Sequence, residues 1–208
     1  MDSLLIKQRY IDEKIVLLAV VCDGVGSYTN GAFASARAVH LLNDWFDKLD
    51  TLTRIGMAMK DAVIYINRQI ILEAEQKKIK TASTLSALIL AENNYFIVHI
   101  GDSRVYCHDK QGLAVLTHDD VSVSGGLLGF IGQQDNILPG YFEGNAIGKT
   151  FLICSDGLYR RMDTSFLVSK MKILNKKLLK KTINALPQYV IERGEKDNIT
   201  VAIVKIET

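Results

Sequence analysis

The chain has 208 residues, 48% apolar and 23% charged, with 25 basic against 23 acidic side chains and a formal charge of +2. That length suits a single domain over residues 1–208, and so even a balance argues against nucleic acid, whose binding draws on a basic excess. No apolar run reaches the roughly 20 residues of a membrane helix and no leader pattern opens the chain, so the expectation is a soluble cytoplasmic monomer with no membrane partner.

Lys14 to Cys22 reads as a strand and ends at "CDGVG". Two helices are expected next, over Gly31 to Leu49 and Leu52 to Lys77. Phe33, Ala36, His40, Trp45 and Leu49 recur at near-helical spacing in the first, and Ile55, Met59, Ala62, Ile66 and Ile70 in the second. Residues 82–117 change to strand chemistry, an antiparallel meander with short polar connections at "ENN", "GD" and "DKQG". Gly125 to Gly148 is glycine-rich and weakly periodic and reads as loop; "TFLICS" returns to strand. A helix pair near Asp163 to Leu174 and Asn175 to Arg193 precedes a last strand, "NITVAIVKI". Strands in a block with paired helices favour an α+β layered arrangement. The lysines of "KMKILNKKLLKK" are read as the wet side of that helix pair. Cys22, Cys107 and Cys154 lie in or beside apolar runs without metal spacing and read as buried thiols.

An aspartate stands at one end of four apolar strands: Asp23, Asp102 and Asp156 after theirs, Asp197 before its own. One Asp-Gly is commonly a turn; the recurrence is what matters. If the first three strands run one way and the last runs against them, all four carboxylates reach the same sheet edge, where their repulsion calls for a cation. Hard oxygen donors without His or Cys select Mg²⁺ or Mn²⁺, and carboxylates holding two such ions suit phosphate-ester hydrolysis. Gly24 lets its backbone approach an ion and Gly26 permits a sharp turn. A dinucleotide loop at Gly24-x-Gly26 is disfavoured, because no third glycine stands in place and Asp23 would face the phosphates.

At these residues the sequence resembles the metal-dependent Ser/Thr protein phosphatases of the 2C type. The ordered motifs are "VCDGVG", "TASTLSALIL", "GDSR", "LTHDD", "LICSDGL" and "DNITVAIV". The resemblance implies a β-sandwich of two antiparallel sheets flanked by pairs of antiparallel helices, with Mn²⁺ or Mg²⁺ at one end. By position, Asp23 would bridge two ions, the Gly24 carbonyl would bind one, and Asp156 and Asp197 would complete the pair; Asp102 with Asp156 would hold a third. The implied nucleophile is a metal-bridging water, which leaves Ser83, Thr84, Ser103 and Ser155 to packing and local hydrogen bonds. The implied partners are phosphorylated proteins, targets of a Ser/Thr kinase. The chain departs from the pattern upstream: the family's usual first strand is expected to be missing, Asp2 matches the Asp of an Asn-Glu-Asp motif, Met1 stands where its Glu would be, and the phosphate-binding arginine is absent unless Arg37 or Arg104 replaces it. Asp120 replaces a histidine, Arg160 takes a place often acidic or polar, and the segment from Asp120 to Phe151 is short. The alternative function is a weak or inactive phosphatase-like module that binds phosphoproteins or a kinase.

Overall fold

The computed structural model describes residues 1–28 and 30–205; Ile206, the last residue of the expected final strand, and the domain end at 206–208 lie outside the described residues. The strands are β1 (Asp2–Ile11), β2 (Lys14–Asp23), β3 (Leu85–Ala91), β4 (Asn94–Ile100), β5 (Arg104–Asp109), β6 (Gly112–Val115), β7 (Gly140–Asn145), β8 (Thr150–Cys154) and β9 (Val201–Lys205). The helices are α1 (Gly31–Lys48), α2 (Ile55–Lys77), α3 (Asp156–Tyr159), α4 (Thr164–Lys172) and α5 (Lys176–Ile191). One sheet has the order β1-β2-β3-β4-β7 and the other β6-β5-β8-β9, with every pairing antiparallel. The expected α+β sandwich is the fold observed.

Three apolar clusters account for the layering. The first joins α1 and α2 to one face of the larger sheet through Leu42, Phe46, Met59, Val63, Ile66 and Ile70 against Leu18, Val20, Leu85 and Ile89. The second fills the space between the sheets with Ala19, Val21, Leu88, Val105, Phe151 and Ile153. The third seats α4 and α5 on the smaller sheet through Leu167, Met171 and Leu186 against Leu152 and Cys154. β3 is buried along its whole length, which is why it reads as a continuous apolar run instead of alternating. All three cysteines are buried and unpaired.

Four local expectations change. The family's first strand, expected to be missing, is present: residues 2–11 form an edge strand paired with β2, hidden in the sequence because its helix-facing positions carry Lys7 and Arg9. Lys7 Nζ donates to Asn43 (2.8 Å) and Asp47 (2.7 Å) on α1, and Arg9 donates to the carbonyls of Phe46 and Leu49. On the opposite face of β1, Leu4, Ile6 and Tyr10 are exposed. In α1 the fully buried row is Ala34, Ala38, Leu42 and Phe46; of the expected row Phe33, Trp45 and Leu49 are partly buried and pack against the same core, whereas Ala36 and His40 are exposed. The α2 row of Ile55, Met59, Ala62, Ile66 and Ile70 is buried as expected. Within the expected loop at 125–148, Gly140–Asn145 pairs with β4 as an edge strand, with main-chain partners making up for its weak pattern. A single turn, α3, also follows β8 directly.

Strand direction positions the functional end. β2 and β4 are each antiparallel to β3, so they run the same way, and Asp23 and Asp102 leave the larger sheet at the same edge. β8 and β9 are antiparallel, so the exit of β8 at Asp156 lies beside the approach to β9 from Asp197. The lysine-rich turn between α4 and α5 belongs to the other end, where Lys205 Nζ donates to the Leu174 carbonyl.

Candidate functional site

The four strand-end aspartates line one cleft of about 360 Å³, together with Met1, Gly24, Arg160 and Asn198. The structure therefore brings together Asp23, Gly24, Asp102, Asp156 and Asp197, residues up to 174 positions apart in sequence. Hydroxyl groups fix the first of them. Thr84 Oγ1 accepts from the Asp23 amide (3.0 Å) and pairs with Ser103 Oγ (2.8 Å), while Ser83 Oγ donates to the Asp23 carbonyl (2.9 Å). Ser155 Oγ accepts from the Thr200 amide (3.0 Å), and the Ser155 amide donates to the Thr200 carbonyl (3.1 Å), which ties the end of β8 to the approach to β9. Ser83, Thr84, Ser103 and Ser155 are buried and spend their hydroxyls on this scaffold, as expected.

Two glycines are required by close approach. A Cβ at Gly24 would meet the Gly31 carbonyl oxygen at 2.6 Å and the Met1 carbonyl oxygen at 2.8 Å, and one at Gly157 would lie 2.2 Å from the Asn198 carbonyl oxygen. Main chain therefore packs on main chain on both sides of the cleft, which no side chain permits. Gly26 differs from expectation: a Cβ there meets nothing within 4 Å and its φ lies outside the left-handed region, so no turn depends on glycine at that position.

The acidic groups repel one another as the strand-end reading anticipates. Burial, then the nearby Asp2 and Asp156 charges, push the Asp23 carboxyl well above the usual carboxylate range. Asp156 rises through burial and Asp102, and Arg160 partly offsets that rise. Asp102 is raised by burial, again against Arg160. Asp2 Oδ2 and Asp156 Oδ1 are buried without a hydrogen-bond partner, a costly state for a carboxylate unless a cation or proton meets it. Among the described residues no three Asp, Glu, His or Cys side chains already form a closed ligand group. The all-oxygen donors, the orphaned oxygens and the raised protonation together fit Mg²⁺ or Mn²⁺.

Two residues outside the expected set belong to the site. Asp2, whose side chain is 5% exposed, pairs in register with Asp23 across β1 and β2, and its charge helps to raise the Asp23 carboxyl; its match to an upstream acidic motif was the signal. Arg160 contacts Asp156 through Nη2 and Asp197 through Nη1 at 3.4 Å. Neither arginine named as a replacement enters the cleft. Arg37 is held by Glu73 (2.7 and 2.9 Å) between α1 and α2. Arg104 is clamped by Asp119 (2.7 and 3.0 Å) and stacks 3.6 Å from the Tyr159 ring centroid. The Tyr159 hydroxyl in turn donates to the Asp102 carbonyl (2.9 Å), so this brace orients the loop carrying Asp102. Asp120, in place of the motif histidine, accepts from the Gly101 amide at 2.8 Å. His99 is structural: it is buried, accepts from Ser86 Oγ at Nδ1 and donates from Nε2 toward the Gly101 and His118 carbonyls.

Comparison with known proteins agrees with this geometry. The sequence model for protein phosphatase 2C matches residues 4–189. The serine/threonine phosphatase stp of Listeria welshimeri is 30% identical, over 90% of this chain and 84% of its own length. A putative protein phosphatase of Mycoplasma genitalium is 28% identical over 92% of this chain and 85% of its own. The crystal structure of the serine/threonine phosphatase Stp1 from Staphylococcus aureus superposes with a TM-score of 0.89 over 100% of this chain and 89% of that one, at 19% identity, a likeness of fold.

Proposed function

The chain belongs to the protein phosphatase 2C family, whose members are metal-dependent protein phosphatases, and on that premise we propose that it removes phosphate from phosphoserine and phosphothreonine in protein substrates. The single observation that supports this most is the convergence of Asp23, Asp102, Asp156 and Asp197 on one cleft. Asp23, the Gly24 carbonyl, Asp156 and Asp197 are the groups that would hold two Mn²⁺ or Mg²⁺ ions, with Asp2 beside Asp23. When bound, such ions supply Lewis-acid activation of water and neutralise charge on the phosphoryl oxygens. The chain's own part is to aim the carboxylates: Thr84 and Ser83 fix Asp23, the Ser155–Thr200 clamp sets the distance from Asp156 to Asp197, and Tyr159 holds the Asp102 loop. Among the described residues that line the cleft, Arg160 alone carries a guanidinium.

A cytoplasmic monomer acting on targets of a Ser/Thr kinase is the setting this reading implies. No described helix is long and apolar enough to cross a membrane. The second reading, a weak or inactive binding module, is favoured by one observation, the occupation of Asp156 and Asp197 by Arg160. Turnover of p-nitrophenyl phosphate and of a phosphothreonine peptide, with Mn²⁺ and with chelator, separates the two. The phosphatase reading expects metal-dependent turnover that Asp156→Asn abolishes; peptide binding without turnover would establish the module instead.

A further inference from the structure

Arg160 reaches the acidic cleft because of its spacing. Asp156 is the first residue of the one-turn helix α3 and Arg160 is its C-cap, with the Arg160 amide donating to the Asp156 carbonyl at 3.1 Å. Four residues of helix put the two side chains on one face. The guanidinium then spans the gap between the exit of β8 and the approach to β9, with one nitrogen on Asp156 Oδ2 and another 3.4 Å from Asp197 Oδ2. Its neighbour Arg161 turns away to Glu195, at 3.6 Å. Asp102 lines the same cleft as Arg160. One guanidinium therefore contacts two of the four strand-end aspartates.

The two oxygens of Asp156 are used differently. Oδ2 meets Arg160, whereas Oδ1 is buried without a partner. A carboxylate can serve two cations at once, one on each oxygen, so Oδ1 is left for an ion shared with Asp23. The Asp102–Asp197 side already holds a charge that cannot leave by deprotonation, since a guanidinium stays protonated at any working pH. A second cation there would meet a tethered one of like sign and compete with it for the same oxygens.

Resting on the phosphatase reading, we infer that Arg160 replaces a divalent ion on the Asp102–Asp156–Asp197 side of the cleft, so that the chain binds one ion fewer than the same site would without this arginine. The site then works with the ions on the Asp23 side, and Arg160 is a positioning residue that holds Asp156 and Asp197 in place.

Counting bound Mn²⁺ tests this without reference to activity. Equilibrium dialysis and calorimetric titration are run on the full chain and on Arg160→Ala, Arg160→Gln and Arg160→Lys, each first checked for native circular dichroism. The Arg160 side chain is 52% exposed, so its truncation leaves no buried hole, and the Gln variant keeps hydrogen bonding while losing the charge. Ala and Gln are expected to bind one Mn²⁺ more than wild type, with affinity on that side of the cleft at least about tenfold tighter, the scale of coupling between competing ligands; Lys should match wild type. Adding Asp102→Asn to Arg160→Ala should remove the extra ion. Equal stoichiometry in all variants, or fewer ions once Arg160 is gone, overturns the inference while leaving the phosphatase reading intact. No Mn²⁺ on any of them would end that reading and the inference with it.

Discussion

The two halves of the acidic cleft solve the same electrostatic problem differently. On the larger sheet, Asp2 and Asp23 face each other across β1 and β2, and the α-ammonium of Met1 lies 3.4 Å from Asp2 Oδ1. On the smaller sheet, Asp156 and Asp197 share Arg160. Both halves are equally well built, each with main chain packed against main chain at a glycine. The difference is therefore one of charge. In the proposed reading the Asp23 half takes a divalent cation from outside, whereas the Asp156 half carries a guanidinium of its own.

The largest expected effect comes from removing the unbalanced charge. Asp23→Asn should lower kcat/KM for a phosphothreonine peptide by about 10³-fold, the scale of losing one major electrostatic contributor to a transition state, and should weaken Mn²⁺ binding in calorimetry. The same change should raise the melting temperature in chelator, because the metal-free fold no longer confines that carboxylate. An unchanged melting temperature would show that Asp23 is not under electrostatic stress.

The pH dependence of stability sharpens the contrast. The folded-state pKa values of Asp23 and Asp156 lie above their unfolded value of 3.8, so between the unfolded and folded values the native chain binds more protons. Stability then falls as pH rises from about 4 toward neutrality, the reverse of the usual behaviour of a salt-bridged carboxylate. Urea unfolding in chelator across that range should show this decline, and saturating Mn²⁺ or Asp23→Asn should flatten it. A metal-free chain that gained stability with rising pH through this window would contradict the account.

Smaller effects test the scaffold of each half. Arg104→Ala removes the Asp119 clamp and the stack on Tyr159. It should cost about 2 kcal/mol of stability, typical of a charged hydrogen-bonded pair, and lower kcat about tenfold through the loosened Asp102 loop, leaving Mn²⁺ affinity on the Asp23 side unchanged. Gly157→Ala, which sets a methyl against the Asn198 carbonyl, should cost ~1–3 kcal/mol as an overpacked contact; Gly26→Ala, with open space around it, should cost nothing measurable by thermal melting.

What the sequence makes legible follows the same division between main-chain pattern and side-chain pairing. Asp23, Asp102 and Asp156 stand out because each ends a long apolar run, and strand direction alone carries them to one edge. Asp2 is harder to see, since its strand hides behind Lys7 and Arg9, whose partners on α1 are forty residues away. Arg160 is one charged residue among many; nothing local says that it turns toward Asp197, thirty-seven positions on, while Arg37 and Arg104 are taken by Glu73 and Asp119. The centre of the buried α1 face is shifted from the expected row toward Ala34 and Ala38, small residues that a pattern of large apolar side chains passes over, and β7 is missed because its order comes from pairing with β4.

The most direct test of the central claim is anomalous diffraction at the manganese edge from crystals of the chain grown with Mn²⁺. The account predicts a strong peak within ligand distance of Asp23 and Asp156 Oδ1, with Arg160 still seated on Asp156 Oδ2. Ordered carboxylates with no anomalous density among them at saturating Mn²⁺ would contradict it.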